Sequence, residues 1–304
     1  MNLTIPPYLK KGDTIAITCP AGYMDAAKAI TCISTLQSWG LHVVVGNTLG
    51  SSSKTYFSGT DAQRRDELQA MLNEPTIKAI LCGRGGYGIG RIIDALDFSL
   101  YAQNPKWIIG FSDVTVLHSH IHTVLQCATL HAPMAAAFNK GNSTANAIAS
   151  IKDALLGKKT TYTHTPHKYN ITGKATGLLV GGNLSLIAHL IGTSSDIHTH
   201  GKILCLEDVG EQLYNIDRML YQLKRAQKLE NLAGLILGGF TDCKDTERPF
   251  GKKIDALIKD VLGDVTYPVA YHFPISHGRH NVAVKLGVTH TLTVTARQVQ
   301  LKQL

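Results

Sequence analysis

The chain has 304 residues, 44% of them hydrophobic and 17% charged, with a formal net charge of +8. That length exceeds what one compact core usually holds, so two domains are expected, and no apolar stretch is long enough to span a bilayer. Lys and Arg are scattered, with no long basic run or interleaved aromatics, which excludes an evident nucleic-acid partner and leaves a small anionic substrate as a suitable one.

The opening segment MNLTIPPYLKKGD has no apolar core and no small-residue cleavage site, so a cytoplasmic protein is expected. Thr14–Thr18 reads as a short strand ending at Cys19-Pro-Ala-Gly22. A helix over 25–39, a strand over 41–45 and a helix over 61–72 follow. Ile77–Cys82 reads as a strand, 88–96 as a helix, and 107–109 as a strand leading into a helix from Asp113. Strand–helix alternation at this spacing predicts a parallel sheet covered on both faces, whose sites lie beyond the carboxyl ends of its strands. The polar, threonine-rich stretch 157–170 reads as the connection between domains. Beyond it come a strand over 174–180, a helix over 183–191, a strand over 202–206 and an amphipathic helix over 211–229. Strands at 232–237 and 269–273 follow, then strong alternation over 282–301, as in a hairpin. The six cysteines, at 19, 32, 82, 127, 205 and 243, form no C-x-x-C pair and read as reduced thiols. Arg64-Arg65 and Lys224-Arg225 lie in helical patterns and read as solvated faces.

Three strand ends carry the candidate chemistry. Ser112, in Trp107-Ile-Ile-Gly-Phe-Ser112-Asp-Val-Thr115, lies at a tight strand-to-helix turn. Such a turn lifts a hydroxyl off the sheet and aims free helix N–H groups at what it attacks. The turn spells the first half of G-x-S-x-G, with Val114 in place of the second glycine; a plain N-cap explains the serine equally well. Gly83-Arg-Gly85-Gly86-Tyr-Gly88 matches G-x-G-x-x-G and could seat a dinucleotide, donate N–H groups to an oxyanion, or serve only as a turn. It follows the third strand rather than the first, and no acidic strand end lies at the distance a dinucleotide fold requires. Glu207 closes the strand at 203–206 with no evident structural task. Asp208 and Glu211 resemble a cap for the next helix. His277, His280 and His131 all remain open as a general base. His118 and His122 share a helical face at i, i+4, but Ser119 stands where the zincin motif needs Glu, so metal ligation is disfavoured. A serine, an acid and a histidine in this order suit a hydrolytic triad.

At these residues the chain resembles the LD-carboxypeptidases, serine peptidases of murein recycling, and the related microcin C immunity peptidases. The resemblance runs through Leu9-Lys-Lys-Gly-Asp13, Pro20-Ala-Gly22, Gly83-Arg-Gly-Gly-Tyr-Gly88 and Gly110-Phe-Ser-Asp-Val-Thr115. It continues in Gly181-Gly-Asn-Leu184, Leu206-Glu-Asp208, Tyr214, Asp217-Arg218 and Pro274-Ile-Ser-His-Gly278. It implies an α/β fold with an N-terminal parallel-sheet domain like class I glutamine amidotransferases, expected over 1–150. A linker is expected over 151–172 and a C-terminal mixed β/α domain over 173–304. By resemblance Ser112 is the nucleophile, His277 the base and Glu207 its orienting acid. Backbone N–H groups of Asp113 and Gly86 bind the oxyanion, with Gly85 against the substrate. The implied reaction removes the terminal D-alanine of murein tetrapeptide, without metal or cofactor, in a cytoplasmic homodimer that binds neither nucleic acid nor membrane. The immunity branch cleaves a peptidyl nucleotide and would need an aromatic platform, for which Trp39 and Trp107 are poorly placed. An oxidoreductase using the glycine loop is the third alternative.

Overall fold

The computed structural model describes residues 3–304; Met1 and Asn2, which the expected N-terminal domain includes, lie outside them. The first half alternates as anticipated: β1 (Thr14–Thr18), α1 (Ile30–Ser38), β2 (His42–Val45), α2 (Asp61–Asn73) and β3 (Ile77–Cys82), then α3 (Ser99–Gln103), β4 (Trp107–Gly110), α4 (Thr115–Leu125), β5 (Thr129–His131) and α5 (Ala145–Leu155). β2, β1, β3, β4 and β5 lie side by side and parallel. Side chains alternate across this sheet. Ile15 and Ile17 pack with Leu36 of α1 and Ile151 of α5, while Ala16, Ile80 and Ile108 pack with Leu68 of α2 and Leu117 of α4. Each face thus has its own core, as a parallel sheet requires. α2 begins at a capping box in which Thr60 and Gln63 satisfy each other's backbone N–H groups.

The second half holds β6 (Thr161–His164), β7 (Gly173–Asn183), α6 (Leu184–His189), β8 (Ile203–Val209), α7 (Leu213–Arg225) and β9 (Gly234–Thr241). α8 (Ile254–Leu262), β10 (Val269–Ala270), β11 (Val284–Leu286), β12 (Thr289–Val294) and β13 (Val299–Gln303) complete it. The second sheet runs β10-β9-β8-β7-β12-β13-β6. β7 changes partner along its length, antiparallel to β12 through residue 178 and parallel to β8 from Leu179. The architecture is therefore mixed α/β with two sheets.

Several local expectations change. The segment 88–96 is not an α-helix but two 3₁₀ turns, Ile89–Arg91 and Ile93–Ala95; Gly88 and Gly90 weaken any helix there. The expected boundary at 150 falls inside α5, and the expected connection contains β6. The alternating end of the chain is split between sheets: β12 and β13 pair as a hairpin, but β11 leaves to pair antiparallel with β5 of the first sheet. α4 is buried on most of its circumference because β7 and α6 cover the side away from its own sheet. No helix among the described residues is long and apolar enough to cross a membrane.

Candidate active site

β1 is followed by β2 on one side and β3 on the other, so the first sheet reverses direction between β1 and β3. Crevices form at such a reversal, beyond the strand ends. Pro20 follows β1, the glycine loop follows β3, and Ser112 follows β4. Ser112 has φ 63°, a left-handed conformation that a residue with a Cβ adopts at a cost. It opens a 3₁₀ turn, Ser112–Val114, before α4, and its side chain caps neither helical segment. The N-cap explanation therefore fails, and the strained turn presents the hydroxyl instead.

The glycine loop lies directly on this turn. A Cβ placed on Gly85 would sit 3.0 Å from Ser112 Cβ and 3.4 Å from the Asp113 nitrogen. Gly85 therefore has to be glycine for the loop to approach the serine so closely. Its carbonyl accepts from Gly22 N at 3.1 Å. The trans peptide then points the Gly86 N–H the opposite way. Asp113 is buried, and its carboxylate accepts from Ile89 N at 2.9 Å, tying the loop to the serine turn. Burial raises its pKa to about 6, opposed by that hydrogen bond and by Arg64. The dinucleotide alternative loses its other component here, because the loop enters a 3₁₀ turn rather than a helix whose N-terminus could hold a pyrophosphate.

Arg64 corrects a second expectation. It is fully buried, not solvated, and its guanidinium donates to Pro20 O and Gly88 O while pairing with Asp61. One side chain thus clamps the loops after β1 and β3. A helical position beside Arg65 carried no signal of this; only the folded loops supply the acceptors.

The acid and the imidazole come from the second sheet. Glu207 is fully buried on β8, and its Oε2 lies 2.6 Å from His277 Nδ1. That contact fixes the tautomer that leaves Nε2 free to accept a proton. Neither His277 Nε2 nor Glu207 Oε1 has a partner among the described residues. The His277 ring stands 4.7 Å from that of Phe111, the residue preceding the serine. His277 is held by the chain from Ile275, whose carbonyl accepts from Gly239 N at 2.9 Å. A Cβ on Gly238 would lie 2.0 Å from that carbonyl and 3.0 Å from Glu207 Cβ, so only glycine permits this contact. The two sheets meet where Asn183 N donates to Thr115 Oγ1 at 3.0 Å, and Asn183 is the register partner of Glu207.

The neighbouring groups have separate tasks. Asp208 is buried and accepts from Asn183 Nδ2 and Ser185 N, so it serves the start of α6 rather than of α7 as expected; burial raises it to about 6. Glu211 accepts from Asn215 within α7. His118 Nε2 meets the Gly110 carbonyl at 3.0 Å, and His122 Nε2 lies 3.0 Å from Lys202 Nζ, while Nδ1 of each is buried without a partner among the described residues. Buried His131 is lowered to about 3 by burial and then by His118 and His277, which makes it a poor base. The His280 carbonyl accepts from Ser276 Oγ, bracing the His277 loop. Beside His277 and Phe111 opens a cleft of about 460 Å³ lined by Arg84 and Arg279. Arg84 lies within the glycine motif and Arg279 directly follows Pro274-Ile-Ser-His-Gly278, yet the motifs alone did not single out either side chain. Together a strained hydroxyl, a carboxylate-oriented imidazole, free N–H groups and two guanidinium groups are the components of acyl transfer on an anionic substrate.

Comparison with known proteins identifies the family and the fold. A family model described as the LD-carboxypeptidase N-terminal domain matches residues 15–132, and one described as the LD-carboxypeptidase C-terminal domain matches 176–292. A probable murein peptide carboxypeptidase of Bacillus subtilis is 36% identical, covering 93% of this chain and 89% of its own. The crystal structure of muramoyltetrapeptide carboxypeptidase from Oxalobacter formigenes superposes with TM-score 0.87 at 27% identity, over 95% of this chain and 98% of that one. The structure of the microcin C7 self-immunity protein MccF in complex with aspartyl sulfamoyl adenosine has TM-score 0.86 at 22% identity, over 100% and 99% of the two chains, a likeness of fold.

Proposed function

The chain belongs to the LD-carboxypeptidase family and is a serine-type carboxypeptidase, and from that premise we propose that it releases the terminal D-alanine of murein tetrapeptide in the cytoplasm, using Ser112, His277 and Glu207. The observation that carries the reading is the 2.6 Å contact between His277 and buried Glu207, in a cleft shared with the residue next to a serine at φ 63°.

Ser112 Oγ attacks the carbonyl carbon of the peptide bond between the L-centre and D-alanine, while His277 Nε2 takes the hydroxyl proton. Glu207 steadies the resulting imidazolium. The N–H groups of Asp113 and Gly86 receive the oxyanion. Collapse breaks the C–N bond, His277 protonates the departing amine, and D-alanine leaves with an acyl-serine behind it. Water, deprotonated by His277, then hydrolyses the ester. Arg84 and Arg279 supply positive charge for the substrate's carboxylates. A nucleotide substrate finds less support. Trp107 is fully buried and Trp39 packs against Phe138, so neither offers a free face to a base.

The test incubates the purified protein with disaccharide tetrapeptide and measures free D-alanine. Release by the wild type, lowered by about 10³-fold or more in Ser112→Ala, is the expected result. No release, or release unaffected by the substitution, refutes the reading.

A further inference from the structure

Outside the triad, though His272 precedes His277 by only five residues, two imidazoles and a carboxylate converge for which the reaction has no use. We propose that His167, Asp255 and His272 form a binding site for a divalent transition metal of the zinc class. The three come from separate segments: the loop between β6 and β7, the first turn of α8, and the chain just after β10. Both imidazoles aim Nε2 at one oxygen, Asp255 Oδ2, His272 from 2.9 Å and His167 from 3.6 Å. All three candidate ligand atoms lie within 4.8 Å of one another.

The distances suit an ion. With metal–ligand bonds of about 2.0 Å, tetrahedral ligands stand roughly 3.3 Å apart. The two measured separations bracket that value, so small side-chain rotations admit the metal. The rings meet at 71° with centroids 4.8 Å apart, and their lone pairs therefore approach from different directions instead of stacking. Two nitrogen donors and one carboxylate oxygen favour zinc, cobalt, nickel or copper over magnesium or calcium.

The backbone holds these segments together before any metal arrives. Ile171 and Val269 exchange hydrogen bonds at 3.0 and 3.1 Å, and Asn170 Oδ1 accepts from Tyr271 N at 2.9 Å. His272 is held at φ 58°, one of six non-glycine residues with positive φ among the described residues, and Asp255 is fixed by its helix. Ligation of His167 through Nε2 moves its proton to Nδ1 and breaks only a 3.4 Å contact from Tyr169 N. His272 is half exposed on the rim of a cleft of about 540 Å³, so a fourth position is open to water. Lys252, on the same rim, is already paired with Asp260. A bound ion would fasten the segment preceding β7 to α8, where the Asp255 oxygen now has one hydrogen bond, from His272, and His167 beside it.

The experiment titrates ZnCl₂ into full-length, tag-free protein by calorimetry, and separately adds Co²⁺ and records its visible spectrum. Saturation at one equivalent is expected, with intense four-coordinate cobalt bands. His272→Gln and Asp255→Asn should each weaken zinc binding by at least about tenfold, since even outer partners of a ligand are worth 10–100-fold. His167→Gln/His272→Gln should abolish the cobalt bands while far-UV circular dichroism stays unchanged. Absence of binding to the wild type, a weak six-coordinate cobalt spectrum, or full affinity in the double variant (metal on other histidines) would each overturn the proposal. Because the wild-type cobalt spectrum reads the site directly, the outcome does not depend on any variant folding, nor on D-alanine release.

Discussion

A serine at φ 63° sacrifices roughly 1–3 kcal/mol of backbone energy, and the surrounding contacts sustain it: Gly85 packed on its Cβ, the Asp113 carboxylate holding Ile89, and Arg64 gripping two loop carbonyls. The proposed roles make the residues unequal in a measurable way. Glu207→Gln keeps the size of the side chain but puts an amide against His277 Nδ1, which no longer fixes the tautomer. Turnover should fall by about 10²–10⁴-fold with substrate binding nearly intact, as kcat and KM determined separately would report. An unchanged kcat would remove Glu207 from the mechanism. Ser112 stood out in the sequence because it follows a strand at a tight turn, and Glu207 because it lies near the carboxyl end of one, two residues short of where β8 finishes; His277 was not separable by position from His280 or His131, and only the family resemblance singled it out. Arg64 did not stand out. Its acceptors are carbonyls of loops distant in the chain, and a helical arginine reads identically whether solvent or those carbonyls await it.

At the scale of elements, the site depends on strands that approach more closely than side chains normally allow. Gly238 is the sharpest case, since a methyl there would lie 2.0 Å from the Ile275 carbonyl, a rigid backbone atom. Gly238→Ala should therefore push the chain bearing His277 away from β9. The expected losses are about 1–3 kcal/mol of stability, by urea denaturation, and at least about tenfold in D-alanine release. A fully active, equally stable variant would show that β9 does not position His277. The strands Thr14–Thr18 and Ile77–Cys82 were readable to the residue because both are short, largely apolar runs followed by turn residues. The 3₁₀ turns at 89–95 were not, since a window of five apolar residues with two glycines looks helical until the Asp113 carboxylate claims Ile89 N. Periodicity found the helix α4 but not its burial on both sides, where His118, His120 and His122 are buried along with the apolar face. The second cover comes from β7 and α6, elements distant in the chain.

At the scale of the whole molecule, these buried imidazoles set how the protein responds to acid. Burial holds His118, His122 and His290 near pKa 4 and His131 near 3. They stay neutral when folded but take up protons near pH 6.5 once unfolded, so the stability they permit is complete above that pH and is lost as pH falls toward the folded values. Asp113 and Asp208, both raised to about 6, act in the opposite direction over part of this window. Four imidazoles outnumber two carboxyls, each titrating group contributing about 1.4 kcal/mol per pH unit. The urea midpoint should accordingly be lower at pH 5 than at pH 7; an equal or higher midpoint would contradict this accounting.

The strand β11 joins residues 284–286 to residues 129–131 at the border of the first sheet. During translation the amino-terminal half therefore leaves the ribosome with an open β edge, and its missing neighbour is synthesised only some 150 residues afterwards. The amino-terminal sheet is thus completed only by the carboxyl-terminal half, and a nascent chain arrested between them would expose the kind of bare strand that invites aggregation.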